Sequence, residues 1–144
     1  MPNNDARSYA PFHLSLHVSD LTNSRRFYGE ILGCPEGRST ANWVDFDFFG
    51  NQLSLHIGTP TQPTQTGKVA EVTVPMPHFG AVLPLADWQQ LAERLSQHPD
   101  YLIMAPMERY AGEQGHQLTL FCRDPSGNAL EFKAMNTGAA LFDG

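Results

Sequence analysis

The feature that most constrains the fold is a strand-and-helix pattern that occurs twice in the 144-residue chain. Leu14, Leu16 and Val18 alternate with polar residues, which predicts a half-buried strand, and a helix follows it. In the first unit, strands and one helix are predicted at residues 11–18, 19–32, 34–40, 42–49 and 52–57. In the second unit they are predicted at residues 78–85, 86–95, 101–104, 116–123 and 129–135. A pattern repeated at this length indicates an internal structural repeat.

Sequence similarity between the two units supports the repeat. Each unit opens on a histidine, and Gly50-Asn51-Gln52-Leu53 is echoed by Gly127-Asn128-Ala129-Leu130. Units of about 60 residues bury too little surface to be stable alone, so the two are expected to share one core. We predict one domain over residues 1–144, with module 1 at about 11–58, a linker at 59–67 and module 2 at about 68–135.

Composition limits the partners. The net charge is −6, which disfavours nucleic acid and anionic membranes because both carry negative charge. No apolar run reaches the roughly 20 residues of a membrane span. The two cysteines, Cys34 and Cys122, form neither a disulfide framework nor a CxxC zinc motif. We expect a cytoplasmic protein with neither a nucleic-acid nor a membrane partner.

The strand alternation also collects polar side chains. On the first strand His13, Ser15 and His17 share a face, and on the strand after Gly50-Asn51 the same holds for Gln52, Ser54 and His56. Glu131 and Lys133 share a face of the last strand. If the sheet curls, these faces line a pocket, and two imidazoles with a carboxylate suit a first-row divalent metal. The alternative is that each histidine is a partly exposed strand residue.

Three stretches carry a resemblance to a known family. They are the run His13 to Tyr28, with Asp20-Leu21 and Phe27-Tyr28, then Pro77-His78-Phe79-Gly80, and the closing run Asp124 to Phe132. Together they resemble the vicinal oxygen chelate superfamily over about residues 11–135. That superfamily includes glyoxalase I, extradiol dioxygenases, and fosfomycin and bleomycin resistance proteins. The resemblance implies an α+β fold in which two paired βαβββ modules form a cupped, mainly antiparallel sheet around a metal cavity.

The same resemblance implies a site. His13 and His78 would be metal ligands that open their modules, and Glu131 would be the ligand on the last strand. Such a site binds two adjacent oxygens of a substrate. Fe(II) is the expected metal, with Mn(II), Zn(II) or Ni(II) as alternatives, and a homodimer is expected.

Two positions bear on the reaction. Ser54 stands where glyoxalase I has a fourth ligand, which favours members with three ligands. The second half is most similar to small extradiol-type dioxygenases, but Phe121 stands at the position of their signature tyrosine. On the similarity of the second half, we predict an extradiol-type dioxygenase. A non-oxidative isomerase or lyase, a resistance-type transferase and a small-molecule binding protein stay as alternatives.

Other residues are candidates for supporting roles. His56, His116 and Tyr110 are candidates for proton transfer, although each could equally be a cavity-wall, strand or loop residue. Arg109 and Glu113 lie in a predicted loop that could cover the cavity. The aromatic candidates for the cavity wall are Trp43, Phe46 and Phe48.

Overall fold

The computed structural model describes residues 9–69, 72–109 and 117–135. Module 1 consists of β1 (His13–Val18), α1 (Leu21–Arg25), a π-helical turn (Arg26–Ile31), β2 (Glu36–Ser39), β3 (Trp43–Phe48) and β4 (Asn51–Ile57). The second half consists of β5 (Thr64–Val69), β6 (Val72–Met76), β7 (Phe79–Val82), α2 (Leu85–Ser96), a 3-10 turn (Pro99–Tyr101), β8 (Leu102–Arg109), β9 (Gln117–Arg123) and β10 (Ala129–Met135).

The sheets confirm the repeat. One four-stranded sheet has the order β1-β4-β3-β2, and the other has the matching order β7-β10-β9-β8. In each, the first pair is parallel and the other two pairs are antiparallel. The predicted βαβββ modules are therefore present, as two open sheets within the chain. β1 and β7 lie at sheet edges and pair with β4 and β10, not with each other.

The strand register fixes which positions of the two modules correspond. In the first sheet Ser54 is paired with Ser15, and in the second Glu131 is paired with Gly80. Two residues before Ser15 and two residues before Gly80 stands the histidine that opens each module. The equivalence inferred from the repeat thus extends to the backbone pairing.

One face of each sheet packs into a core that both modules share. Phe46 and Phe48 are 2% and 4% exposed and lie in this core, so their prediction as cavity-wall residues is wrong. Alternation along β3 explains the outcome, because Trp43 and Asp45 take the opposite face. Trp88 of α2 packs on the second sheet and donates its indole N–H to the Phe132 carbonyl. The face opposite the core is left for polar residues.

The segment predicted as a linker is partly structured. Thr64–Val69 forms β5, which pairs with β6 as a separate two-stranded sheet. Threonine and valine favour extended backbone, so β-propensity accounts for this hairpin better than the Pro and Gln content on which the linker was predicted. β6 ends directly before the strand that opens the second sheet.

A buried hydrogen-bond cluster joins the modules. Tyr28 of module 1 is fully buried and donates its hydroxyl to Oδ2 of Asp124 at 2.8 Å. Asn128 donates its side-chain amide to the same oxygen and to the His17 carbonyl. Burial raises the pKa of Asp124 above its ordinary value, and the hydrogen bonds from Asn128 and Tyr28 partly offset that rise. This cluster fixes β1 against the closing hairpin.

Among the helices that the structure describes, none has the length and apolar content to span a bilayer.

Candidate metal centre

His78 and Glu131 lie side by side in the second sheet. His78 directly precedes β7, and Glu131 points from the parallel neighbour β10. The imidazole Nε2 is 3.2 Å from Glu131 Oε1. The side chains are 19% and 7% exposed, so the pair is largely withdrawn from water but reachable. Two of the three predicted ligands are therefore adjacent.

Hydrogen bonds on the far side of each group fix how the pair meets. His78 Nδ1 lies 2.7 Å from the Pro75 carbonyl. A carbonyl only accepts, so Nδ1 carries a proton and donates it, and Nε2 is the nitrogen that faces Glu131. Thr119 donates its hydroxyl to Glu131 Oε2 at 2.5 Å. Support of this kind, behind the ligating atoms, is typical of metal sites.

Nε2 and Oε1 therefore face each other at the centre of the pair. A proton on Nε2 makes this contact a charge-assisted hydrogen bond, and a bound cation in place of that proton would take both atoms as ligands. The donor set of one imidazole and one carboxylate suits Fe(II), Mn(II) or Zn(II). The pair therefore supplies two of the three or four protein ligands that such a metal uses, and no third ligand joins it among the described residues.

His13 lies on the other sheet. Its Nδ1 is 2.8 Å from Gln52 Oε1, its Nε2 is 3.2 Å from the Ser15 hydroxyl, and the residue is exposed. Within the described ranges, no group of three or more potential ligands forms a metal cluster, so His13 is not gathered with the His78–Glu131 pair inside one chain. Its role as a ligand stays a prediction.

The candidates for proton transfer fall in different places. His56 is exposed on β4, beside Trp43, with ring centroids 6.1 Å apart. It lies four residues from Gln52, about 13 Å along the strand, and so does not stand beside His13. His116 and Tyr110 lie outside the described residues, as does Glu113. Arg109 is not in a loop, because it is the last residue of β8.

Sequence reasoning missed the residues that support the site. Asp45 is 8% exposed and accepts hydrogen bonds from Ser54 and Gln52, and Thr119 and Pro75 hold the His78–Glu131 pair. Asp45 could have been found, because alternation along β3 places it on the polar face. Pro75 and Thr119 had no signal in the sequence, since their contacts depend on how strands pair.

Phe121 is fully buried beside the pair. Its ring meets the His78 ring edge-on, with centroids 5.2 Å apart. It is the register partner of Glu131 on β9. At the position where the resemblance to extradiol enzymes implies a tyrosine, Phe121 places an apolar ring next to His78.

An apolar cavity of about 200 Å³ adjoins His78. Its wall includes Leu14 and Leu16 of β1, Phe79 of β7 and Ala129 of β10. A cavity of about 150 Å³ with such a lining is large enough for a benzene ring, so this one has room for a small apolar group.

Comparison with known proteins agrees with the fold and the motifs. The family described as the Glyoxalase/Bleomycin resistance protein/Dioxygenase superfamily matches residues 11–132. Virulence protein STM3117 of Salmonella typhimurium is 28% identical over 123 residues, covering 83% of this chain and 79% of that protein.

Two solved structures are similar over most of their length. The glyoxalase/bleomycin resistance protein/dioxygenase of Alicyclobacillus acidocaldarius is 27% identical, with a TM-score of 0.74 over 99% of this chain and 100% of that one. The fosfomycin resistance protein FosX of Listeria monocytogenes is 17% identical, with a TM-score of 0.64 over 88% and 93%, and shares the fold. The chain is therefore a member of the glyoxalase/bleomycin resistance protein/dioxygenase superfamily.

Proposed function

We propose that this protein is a metal-dependent enzyme that binds two adjacent oxygens of a small substrate at a site of His78, Glu131 and His13. The observation that carries the proposal is the His78–Glu131 pair, an imidazole nitrogen and a carboxylate oxygen that meet at 3.2 Å while hydrogen bonds hold the other side of each group. Fe(II) is the metal we would test first.

The chain's own residues would prepare this site in three ways. The Pro75 carbonyl keeps the proton on His78 Nδ1 and so directs the Nε2 lone pair toward Glu131. Thr119 occupies Glu131 Oε2, which leaves Oε1 turned to the histidine. A divalent metal bound there would act as a Lewis acid that stabilises an anionic substrate oxygen. The apolar cavity beside His78 would take an aromatic or aliphatic part of the same substrate.

We infer that His13 reaches the site from a second copy of the chain. The supporting observations are that His13 hydrogen-bonds within the first sheet and joins no cluster with the pair in the described ranges. A homodimer in which module 1 of one copy faces module 2 of the other would complete both sites symmetrically.

Mixing variants tests this arrangement. A His13→Ala chain and a His78→Ala chain each lack a ligand, yet a mixed dimer would hold one intact site, built from His13 of one copy and His78 of the other. Refolding the two variants together should therefore restore high-affinity metal binding at one site per mixed dimer. If both ligands came from the same chain, no mixture would recover binding.

Two reactions compete for this site. Extradiol-type ring cleavage is our first proposal, on the resemblance of module 2 to that subgroup. Phe121 favours the second, a non-oxidative isomerisation or lyase reaction, because the buried ring beside His78 offers no hydroxyl to a catechol. Oxygen uptake by anaerobically Fe(II)-loaded protein with a panel of catechols distinguishes the two.

Metal binding itself is tested by elemental analysis of protein purified without chelators, followed by titration of the metal-free protein with Mn(II). His78→Ala and Glu131→Gln should each lower affinity by more than the roughly 10–100-fold typical of residues behind the ligands. His98→Ala changes an exposed histidine that is not a proposed ligand, and it is the matched control. Unchanged affinity in the first two variants would refute the site.

A further inference from the structure

A chain of hydrogen bonds runs across the polar face of the first sheet and ends at His13. Ser54 donates to Asp45 Oδ1, and the Gln52 side-chain amide donates to Asp45 Oδ2 at 3.2 Å. Gln52 Oε1 then lies 2.8 Å from His13 Nδ1. The chain connects a buried carboxylate to an exposed imidazole through one amide.

The chemistry of the groups sets the direction of every bond in this chain. A carboxylate only accepts, so the nitrogen end of the Gln52 amide must face Asp45. The oxygen end then faces His13, and because that oxygen only accepts, the proton must sit on Nδ1. Nε2 is left with its lone pair, which accepts from the Ser15 hydroxyl at 3.2 Å.

In the second module a different acceptor holds the proton on the histidine Nδ1. His78, at the equivalent position, donates Nδ1–H to the Pro75 carbonyl and turns Nε2 toward Glu131. In module 1 the Gln52 amide, held by the Asp45 carboxylate, takes the place of that carbonyl at His13 Nδ1. Two unrelated sets of groups thus select the same imidazole tautomer at two equivalent histidines.

We propose that Gln52 and Asp45 are positioning residues that hold His13 in the Nδ1–H tautomer with Nε2 available to a cation. The inference rests on the proposed metal function for its consequence, but the tautomer itself is a property of the metal-free protein. Gln52 and His13 are exposed, and Asp45 is 8% exposed, so the buried carboxylate is the fixed end of the chain.

The experiment reads the tautomer directly. Metal-free protein with ¹⁵N-labelled histidine is examined by long-range ¹H–¹⁵N correlation spectra above about pH 8, where ordinary imidazoles are neutral. The His13 signals are identified by their loss in His13→Asn, and those of His56 serve as the internal control. Wild-type His13 should show a protonated Nδ1 and a bare Nε2.

Two variants separate positioning from a general structural effect. Gln52→Leu removes the acceptor, so His13 should change to the Nε2–H form that free histidine prefers. The double variant Gln52→Glu with Asp45→Asn reverses the bond between positions 45 and 52 and keeps an acceptor on His13 Nδ1. It should restore the Nδ1–H tautomer, and circular dichroism should confirm that both variants fold.

Metal affinity provides the second readout. Gln52→Leu should bind Mn(II) about 10–100-fold more weakly, and the double variant should recover most of that loss. A wild-type His13 in the Nε2–H form, or a tautomer unchanged in Gln52→Leu, would overturn the inference. A tautomer that follows the variants while affinity does not would support the positioning of His13 and overturn its proposed role as a ligand.

Discussion

Replacing Gly80 with alanine should separate β7 from β10 and so dismantle the His78–Glu131 pair. A Cβ added at Gly80 would lie 1.6 Å from the Glu131 carbonyl oxygen and 2.6 Å from its carbonyl carbon. Real Cβ atoms stay at least 3.0 Å from such neighbours, so the strands would have to part by about 1.4 Å. No rotamer change relieves the clash, because the obstacle is backbone.

The cost follows from the hydrogen bonds that such a shift would break. An N–H···O bond of about 2.9 Å stretched by 1.4 Å no longer qualifies as one. Losing two or three bonds of the β7–β10 ladder, at about 0.5–1.5 kcal/mol each, gives a loss of roughly 1–4.5 kcal/mol in the free energy of unfolding. Urea denaturation measures that loss, and Mn(II) titration should show weaker binding because His78 stands two residues from the clash.

Gly29→Ala is the matched control for this substitution. A Cβ there meets the Phe46 ring at 3.6 Å and the Cys34 carbonyl at 3.9 Å, both ordinary contacts. Alanine in a helical segment is favoured over glycine by up to about 1 kcal/mol, so this variant should match or exceed wild-type stability. A Gly80→Ala protein as stable as Gly29→Ala, with unchanged metal affinity, would refute the reasoning.

The junction between modules supplies further predictions. Tyr28→Phe should lower the free energy of unfolding by about 1.5–3 kcal/mol at neutral pH, because it removes a donor from the buried Asp124 carboxylate, whereas exposed Tyr9→Phe should be neutral in the same urea assay. Burial raises the pKa of Asp124, so this carboxyl keeps its proton to higher pH in the folded state than in the unfolded chain. The stability that this difference contributes is fully present below the ordinary pKa of 3.8 and is lost as pH rises through the pKa of Asp124 in the folded state. Because the Tyr28 bond lowers that pKa, the cost of Tyr28→Phe should grow between about pH 4 and neutrality, and a cost independent of pH would contradict this. Burial also raises the pKa of the Cys34 and Cys122 thiols to about 12, so neither should react with a thiol reagent in native protein at neutral pH, and both should react in urea.

Local patterns predicted most of the secondary structure. Alternation gave β1, β3 and β4 to within two residues, and the first helix begins after Asp20, whose side chain accepts from the Asn23 N–H, within the range predicted for it. The hairpin β5–β6 was missed because Pro and Gln near residue 63 concealed a short threonine-rich strand. Phe46 and Phe48 were assigned to the cavity because their aromatic character was considered without the alternation that turns them into the core.

For the candidate site, the sequence and the tertiary structure supplied different information. The repeat placed His13 and His78 at equivalent positions, and strand alternation placed Glu131 on a polar face. Both follow from residue type and strand period, which are local properties of the chain. Which atoms meet was decided by tertiary structure, because pairing between strands far apart in sequence brings Pro75, Thr119 and Gln52 behind the ligating nitrogens and oxygen. Sequence alone thus determined the modules and the candidate ligands. Only the packed sheets determined that His78 and Glu131 meet at 3.2 Å while His13 stands apart, because that depends on long-range register that no local pattern encodes.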